Sequence, residues 1–270
     1  MLRDITLGQY YPGQSPIHRL DPRVKIIATL LFIVELFIVN NFIGFAICAG
    51  VMAVCVLVSR VPLSFIMRGL KPIIIILLFT FLLNIFMVDG KVIWTMGPLK
   101  VTWEGVITAV FMAIRLLLLI IGSSLLTLTT TPIRLTDGIE RLLSPFERFG
   151  LPAHDIAMMM SIALRFIPTL LDETDKIMKA QQARGADFES GNIMRRARSL
   201  VPILIPLFVS AFRIAQDLAM AMESRCYRGG KGRTRLHEMR FHKQDVMGMI
   251  GLFAFLAVII IERILIPADI

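Results

Sequence analysis

Cysteine is scarce in this chain of 270 residues: there are three, at Cys48, Cys55 and Cys226, none with a partner at metal-ligand spacing. A disulfide framework is therefore excluded as the basis of the fold. Histidine is equally thin. His18, His154, His237 and His242 include no H-x-x-x-H pair and have no neighbouring cysteine, so no metal site is expected. Charged residues make up only 18% of the sequence, and the acidic ones are outnumbered, 20 against 29 basic, for a net charge of +9. The chain also lacks a nucleophile elbow and a nucleotide fingerprint. Gly229-Gly230-Lys231-Gly232-Arg233-Thr234 has the wrong spacing for a phosphate loop, and no apolar strand leads into it. It reads instead as a basic loop near anionic headgroups. These absences imply no catalytic residues, no bound cofactor and no enzyme activity; any ATP is used by another chain. Residues 1–22 contain no apolar core, so no cleavable signal peptide is expected.

Hydrocarbon is what the chain has in quantity. Hydrophobic residues reach 56% and the mean hydropathy is +0.74, above the ~45–50% apolar content of soluble domains. Apolar runs occur at 24–39, 42–58, 72–88, 106–128 and 246–266. At 1.5 Å per residue each is roughly 24–35 Å long, enough to cross or nearly cross a ~30 Å bilayer core. The pattern predicts an all-α, polytopic membrane protein with about five transmembrane helices. A basic nucleic-acid binder would not need apolar runs so long or so many.

Lysine and arginine set the expected orientation. Residues 1–25 hold 4, the 59–72 loop 3 and the 129–245 segment 18, whereas the 89–105 loop holds 2 and two more lie within helices. With five alternating spans the rich segments fall on one face, which places the N-terminus in the cytoplasm. Three regions follow: 1–128 with four spans, a cytoplasmic helical domain at 129–245, and a last span within 246–270. The middle region is too long for a connector. Within it, 135–149 reads as an amphipathic helix stopped by Gly150. A second helix runs from Pro152 to Ala183, bending near Pro168, and a third from Ile203 to Ser224. The second and third have apolar faces wider than a lone surface helix needs, through mutual packing or an absent partner. Met158-Met159-Met160, Met220 and Met222 favour an adaptable contact surface.

Two charges stand out within the spans. Glu35 lies 11 residues into the first span and Arg115 9 residues into the fourth, from opposite ends. Both then fall near the mid-plane, at roughly 16 Å and 14 Å from opposite edges, with Asn84 close to the same level. The expectation is a structural Glu35–Arg115 ion pair. The sharper alternative, an ion or proton pathway, makes this a self-contained carrier or channel.

Arginine also tips two helices of the middle region, as Ala183-Arg184-Gly185 and Ser224-Arg225-Cys226, 41 residues apart. A basic residue at a helix C-terminus is ordinarily a cap. Two such tips with small neighbours suggest two protein sockets, because the planar guanidinium binds carboxylates or carbonyls bidentately.

The stretch Gly8-Gln9-Tyr10 through Ser15-Pro16-Ile17-His18-Arg19-Leu20-Asp21-Pro22-Arg23-Val24-Lys25, with the two triplets, resembles the transmembrane coupling subunit of energy-coupling factor transporters, the T component. The likeness covers essentially the whole chain; the second triplet departs from a small Ala/Gly/Ser frame in ending on cysteine. The resemblance implies a non-catalytic scaffold of an ATP-driven uptake system in a bacterial or archaeal cell membrane. Its implied partners are two ATP-binding cassette ATPases, docked at Ala183, Arg184, Gly185, Ser224, Arg225 and Cys226, and one small membrane subunit that captures a vitamin or metal ion. No nucleic acid is implied.

Overall fold

A computed structural model describes residues 10–71, 73–96, 99–188, 192, 194, 198–229 and 241–265. Gly8 and Gln9 of the N-terminal motif, and most of the basic Gly-rich loop, lie outside these. The described chain is an all-α polytopic membrane fold with one small hairpin. Its helices are α1 (Pro16–Arg19), α2 (Pro22–Ile38), α3 (Phe42–Ser59), α4 (Leu63–Leu70), α5 (Ile74–Met87), α6 (Trp103–Thr129), α7 (Pro132–Leu143), α8 (Ala153–Ala183), α9 (Val201–Ser224) and α10 (Lys243–Leu265). The chain divides into two compact units, one of residues 8–138 and 238–270, the other centred on residues 139–229.

Three of the expected spans, α3, α6 and α10, are long and apolar enough to cross a bilayer, and so are α8 and α9. The other two expected spans, α2 and α5, fall short of that length. α2 has 17 residues and α5 has 14, roughly 25 Å and 21 Å of helix. α5 follows α4 at a bend of 59°, so the expected straight helix over 72–88 is instead the second arm of a bent pair.

In the first unit the core is built from Phe32, Leu36, Phe45, Cys48, Met52, Phe111, Leu118 and Ile259 of α2, α3, α6 and α10. Phe111 sits 4.4 Å from the Phe42 ring and 5.3 Å from Phe45, within the range of favourable aromatic pairs. α6 approaches α5 closely at Gly105, where a Cβ would lie 3.0 Å from the backbone oxygens of Asn84 and Ile85. The α5–α6 loop is a two-stranded antiparallel hairpin, β1 (Val92–Met96) with β2 (Leu99–Thr102). Val92-Ile93-Trp94-Thr95 is a β-branched and aromatic run that suits a strand, and the all-α expectation passed over it. Thr102 joins hairpin to helices: its Oγ1 donates to Val88 O and accepts from Gly105 N.

The N-terminal motif forms a polar knot. Ser15 and Asp21 are N-caps, each followed by proline at the first helical position, of α1 and α2 respectively. Asp245 is at the third position of α10, and its Oδ2 accepts from His242 N at that helix's cap. Its Oδ1 accepts from Asp21 N at 2.7 Å, which joins the starts of α2 and α10. The buried Lys25 ammonium donates to His18 O, Thr129 O and Thr130 Oγ1 at 2.9–3.3 Å. All three of its donors are thus used on the end of α6 and the last turn of α1. Arg23 lies over the Phe241 ring.

His18 is held on both ring nitrogens. Tyr11 O can only accept, so Nε2 carries hydrogen, at 3.0 Å. Nδ1 then accepts from the Ser15 hydroxyl at 2.7 Å. Burial pushes the imidazole below its ordinary value of 6.5; the Tyr11 carbonyl opposes this and the Lys25 charge adds to it. The native state therefore binds fewer protons than the unfolded chain, and stability falls as pH drops below 6.5. We expect the unfolding midpoint to decline as pH falls through about 6.5, and His18→Gln to flatten that decline, as read by thermal melts across pH.

Candidate functional site

The second unit contains α8, α9 and the short elements before them. The predicted helix over 135–149 divides. α7 ends at Leu143, Ser144–Phe149 is a 3-10 segment, and Gly150 follows with φ +89°. Proline at position 145 suits the first turn of a new segment better than a helix interior. α8 continues through Pro168 without a break.

α8 and α9 run in opposite directions. Gln181 near the end of α8 donates to Pro202 O at the start of α9. At the other end Tyr227, just past α9, places its hydroxyl 3.0 Å from Met158 Sδ and 3.4 Å from His154 Nε2. His154 Nδ1 in turn donates to Glu140 Oε1 at 3.1 Å. The arginine triplets close α8 and α9, so Arg184 and Arg225 stand at opposite ends of the pair. From Met158 to Gln181 the separation is roughly 34 Å of helix.

Both triplets form the same cap. Gly185 N donates to Gln182 O and Ala186 N to Gln181 O, each at 2.9 Å. Cys226 N donates to Glu223 O at 2.8 Å and Tyr227 N to Met222 O at 3.0 Å. These are the paired bonds of the Schellman motif, with arginine at the C-cap and the third triplet residue in the left-handed region. Gly185 has φ +90° and Cys226 φ +55°. Ala183 and Ser224 are the last helical residues; Ser224 Oγ returns to Ala221 O. Because the backbone satisfies its own carbonyls, the guanidiniums are not used as caps. Arg184 and Arg225 are exposed and make no hydrogen bond or ion pair with the described residues. Sequence reasoning took the small neighbours as room for a partner. It missed that the residue after each arginine must accept a positive φ, a requirement that glycine in the first triplet signals.

The apolar faces of this unit are open. Met159, Leu204, Ile205, Phe208, Val209, Phe212 and Met220 are all exposed. All but Met159 lie on α9, where Leu204, Ile205, Phe208, Val209 and Phe212 recur at helical spacing and form one stripe.

Glu35 and Arg115, in the first unit, are not brought together. Arg115 Nη2 donates to Val39 O at 3.0 Å and Asn40 Oδ1 at 3.3 Å, and its guanidinium faces Phe37 and Phe45. Arg263 of α10 donates to Ile38 O. Two guanidiniums from other helices therefore complete the C-terminus of α2, where the dipole favours cations. Asn84 donates to Thr80 O of its own helix. Both oxygens of the fully buried Glu35, and of Glu262, have no hydrogen-bond partner among the described residues. The expected ion pair is thus replaced by helix capping, because unsatisfied terminal carbonyls accept from arginine as a carboxylate does.

The first unit is a helical membrane body, the second a helix pair with two bare arginine tips and uncovered apolar faces. Both belong to a polytopic, all-α membrane protein. The family described as cobalt transport protein, CbiQ, matches residues 13–236. The chain is 59% identical over 250 residues to a protein of Thermosediminibacter oceani, covering 93% of this chain and 94% of that one. It is 56% identical to one of Clostridium kluyveri, covering 98% of each, and 48% identical to one of Bacillus subtilis, covering 97% and 100%. All three are named energy-coupling factor transporter transmembrane protein EcfT. The chain belongs to this family and is a transmembrane component of an energy-coupling factor transporter.

Two outcomes follow from the geometry. Glu35→Leu leaves thermal stability unchanged or higher, because it removes a buried carboxylate without partners, whereas Arg115→Met lowers it by about 1.5–3 kcal/mol through lost charged hydrogen bonds. Equal losses would restore the ion pair. Cys226→Gly relieves a left-handed cysteine and stabilises the end of α9 by about 0.5–1 kcal/mol, read as slower hydrogen exchange at Cys226 and Tyr227.

Proposed function

We propose that this chain is the coupling scaffold of its transporter, with Arg184 and Arg225 each seated in a groove on a separate ATP-binding cassette ATPase. The observation that carries the reading is the pair of exposed guanidiniums, held by identical backbone caps at opposite ends of one antiparallel helix pair. A cap that leaves the guanidinium idle has no structural use for arginine over lysine or alanine. A rigid tip with five fixed donors suits a carboxylate or carbonyl socket. Tips some 34 Å apart along the helices suit two sockets rather than one.

In this reading residues 129–245 lie on the cytoplasmic side with the N-terminus, and residues 246–270 carry the last span. The charge asymmetry supports that orientation. The exposed apolar stripe of α9 and the exposed Met159 and Met160 of α8, two helices that also pass as spans by length and composition, face the bilayer boundary or a membrane partner. That partner is a small integral subunit that captures the cargo, a vitamin or metal ion. The cobalt transport description of the family supports a metal-ion cargo for some members. Closing and opening of the ATPase pair moves the two tips relative to each other, and the antiparallel helices carry that movement to the capture subunit. No residue of this chain needs to touch cargo or nucleotide for this to work.

Co-purification tests the reading. Arg184→Glu with Arg225→Glu abolishes recovery of both ATPases from membranes, while insertion and thermal stability of this chain stay unchanged, because neither guanidinium supports its own fold. Each single Arg→Ala change weakens association by about 2–5 kcal/mol. ATPase recovery equal to the parent's in the double variant rejects the tip-and-socket arrangement.

A further inference from the structure

A partly open groove of about 420 Å³ runs between α2, α3, α6 and α10 within the first unit. Its walls include Val24, Phe32, Met52, Leu125 and Phe255, and its polar lining is confined to Lys25, Thr29 and Thr129. None of these three offers a free donor. Lys25 is saturated by three acceptors, while the Thr29 and Thr129 hydroxyls donate to Lys25 O and Leu125 O of their own helices. Water entering the groove would find no free donor and only the lone pairs of two threonine hydroxyls, too few partners to hold it, and largely apolar cavities of that kind stay dry. The matching occupant is hydrocarbon.

The shape is that of a chain rather than a ring. From Val24 to Phe32 the groove follows α2 for roughly 12 Å. Glycine keeps it open on the α10 side. A Cβ at Gly251 would meet nothing within 4 Å, and one at Gly248 would meet Leu20 only at ordinary contact distance. No neighbouring backbone demands glycine at either place, so a side chain that filled the groove would be sterically acceptable there.

Charge marks the polar end. Arg134 acts electrostatically on Lys25, and Arg19 adjoins Leu20 of the lining. Both arginines are exposed and have no acidic partner among the described residues. An apolar trough with two exposed arginines near its Lys25 end, neither with an acidic partner among the described residues, is complementary to a hydrocarbon tail joined to a phosphate. We propose that this groove binds one anionic membrane phospholipid, with an acyl chain along α2 and α10 and its headgroup at Arg19 and Arg134.

The test uses the complete transporter complex in membranes containing phosphatidylglycerol with a diazirine on one acyl chain. Illumination of the parent protein should place adducts on the groove-lining residues of α3 and α10, among them Met52, Cys55 and Leu252. Excess unlabelled phosphatidylglycerol should compete better than phosphatidylcholine. Gly251→Leu should lower the adduct yield by about tenfold, while Gly251→Ala retains it. Arg19→Gln with Arg134→Gln should keep the adducts but remove the preference for the anionic lipid. Adducts spread evenly over the lipid-facing helices, or unchanged in Gly251→Leu, would overturn the proposal, as would protection of the groove by a partner polypeptide. Equal competition by both lipids in the parent protein would overturn the headgroup assignment. The labelling of the parent decides the question even if Gly251→Leu fails to fold.

Discussion

The membrane body is organised around the buried Lys25 ammonium and the Asp245 carboxylate. In a bilayer, lipid tails are as apolar as leucine, so hydrophobic burial does little to select which helices meet. Directional polar contacts carry more of that choice. Lys25 binds the terminal carbonyl of α6 and a carbonyl of α1, and Asp245 binds the cap amides that precede both α2 and α10. Three long helices are thus joined at one end by bonds whose geometry fixes their register. The phenylalanine packing around Phe111 then fills the space between α2, α3 and α6. Either Lys25 or Asp245 left alone would be a buried charge without its acceptors or donors, which is costly at any depth.

Helix C-termini are completed in two opposite ways, and the difference assigns different work to the same residue type. α2 ends without a cap of the glycine kind, and Arg115 and Arg263 reach in from α6 and α10 to bind its last carbonyls. Those arginines are consumed by the fold. α8 and α9 close on themselves through paired backbone bonds, and their arginines project without local partners. A guanidinium that the fold consumes stabilises; one that the fold leaves idle is available for recognition. This contrast separates Arg115 and Arg263 from Arg184 and Arg225 more clearly than depth or neighbouring residues do.

Much of the helical layout was legible in apolar runs, because hydrocarbon thickness imposes a length that a sequence cannot hide. The runs at 42–58, 106–128 and 246–266 correspond closely to α3, α6 and α10. The run at 24–39 is matched by α2, the run at 72–88 only by the second arm of the bent α4–α5 pair, and α8 and α9 meet the same length and composition criterion. The hairpin at Val92–Met96 lay unnoticed in a loop chosen for its low charge. The Glu35–Arg115 pairing failed for a physical reason: counting residues fixes the depth of a Cα, not the direction in which a long side chain finds an acceptor. The arginine triplets were legible as a pattern, and Gly185 was the clue to their cap that went unused.

Composition and periodicity by themselves determined that this chain enters a bilayer, that it is helical and that its basic residues gather in a few segments. Those properties depend on transfer free energies and residue identities summed along the chain, so order in sequence is enough to specify them. Tertiary structure alone decided which acceptors Lys25 and Arg115 satisfy, that α8 and α9 run in opposite directions, and that a largely apolar groove lies against Gly251. Each of these depends on groups far apart in sequence meeting within about 4 Å, and no local pattern encodes that distance.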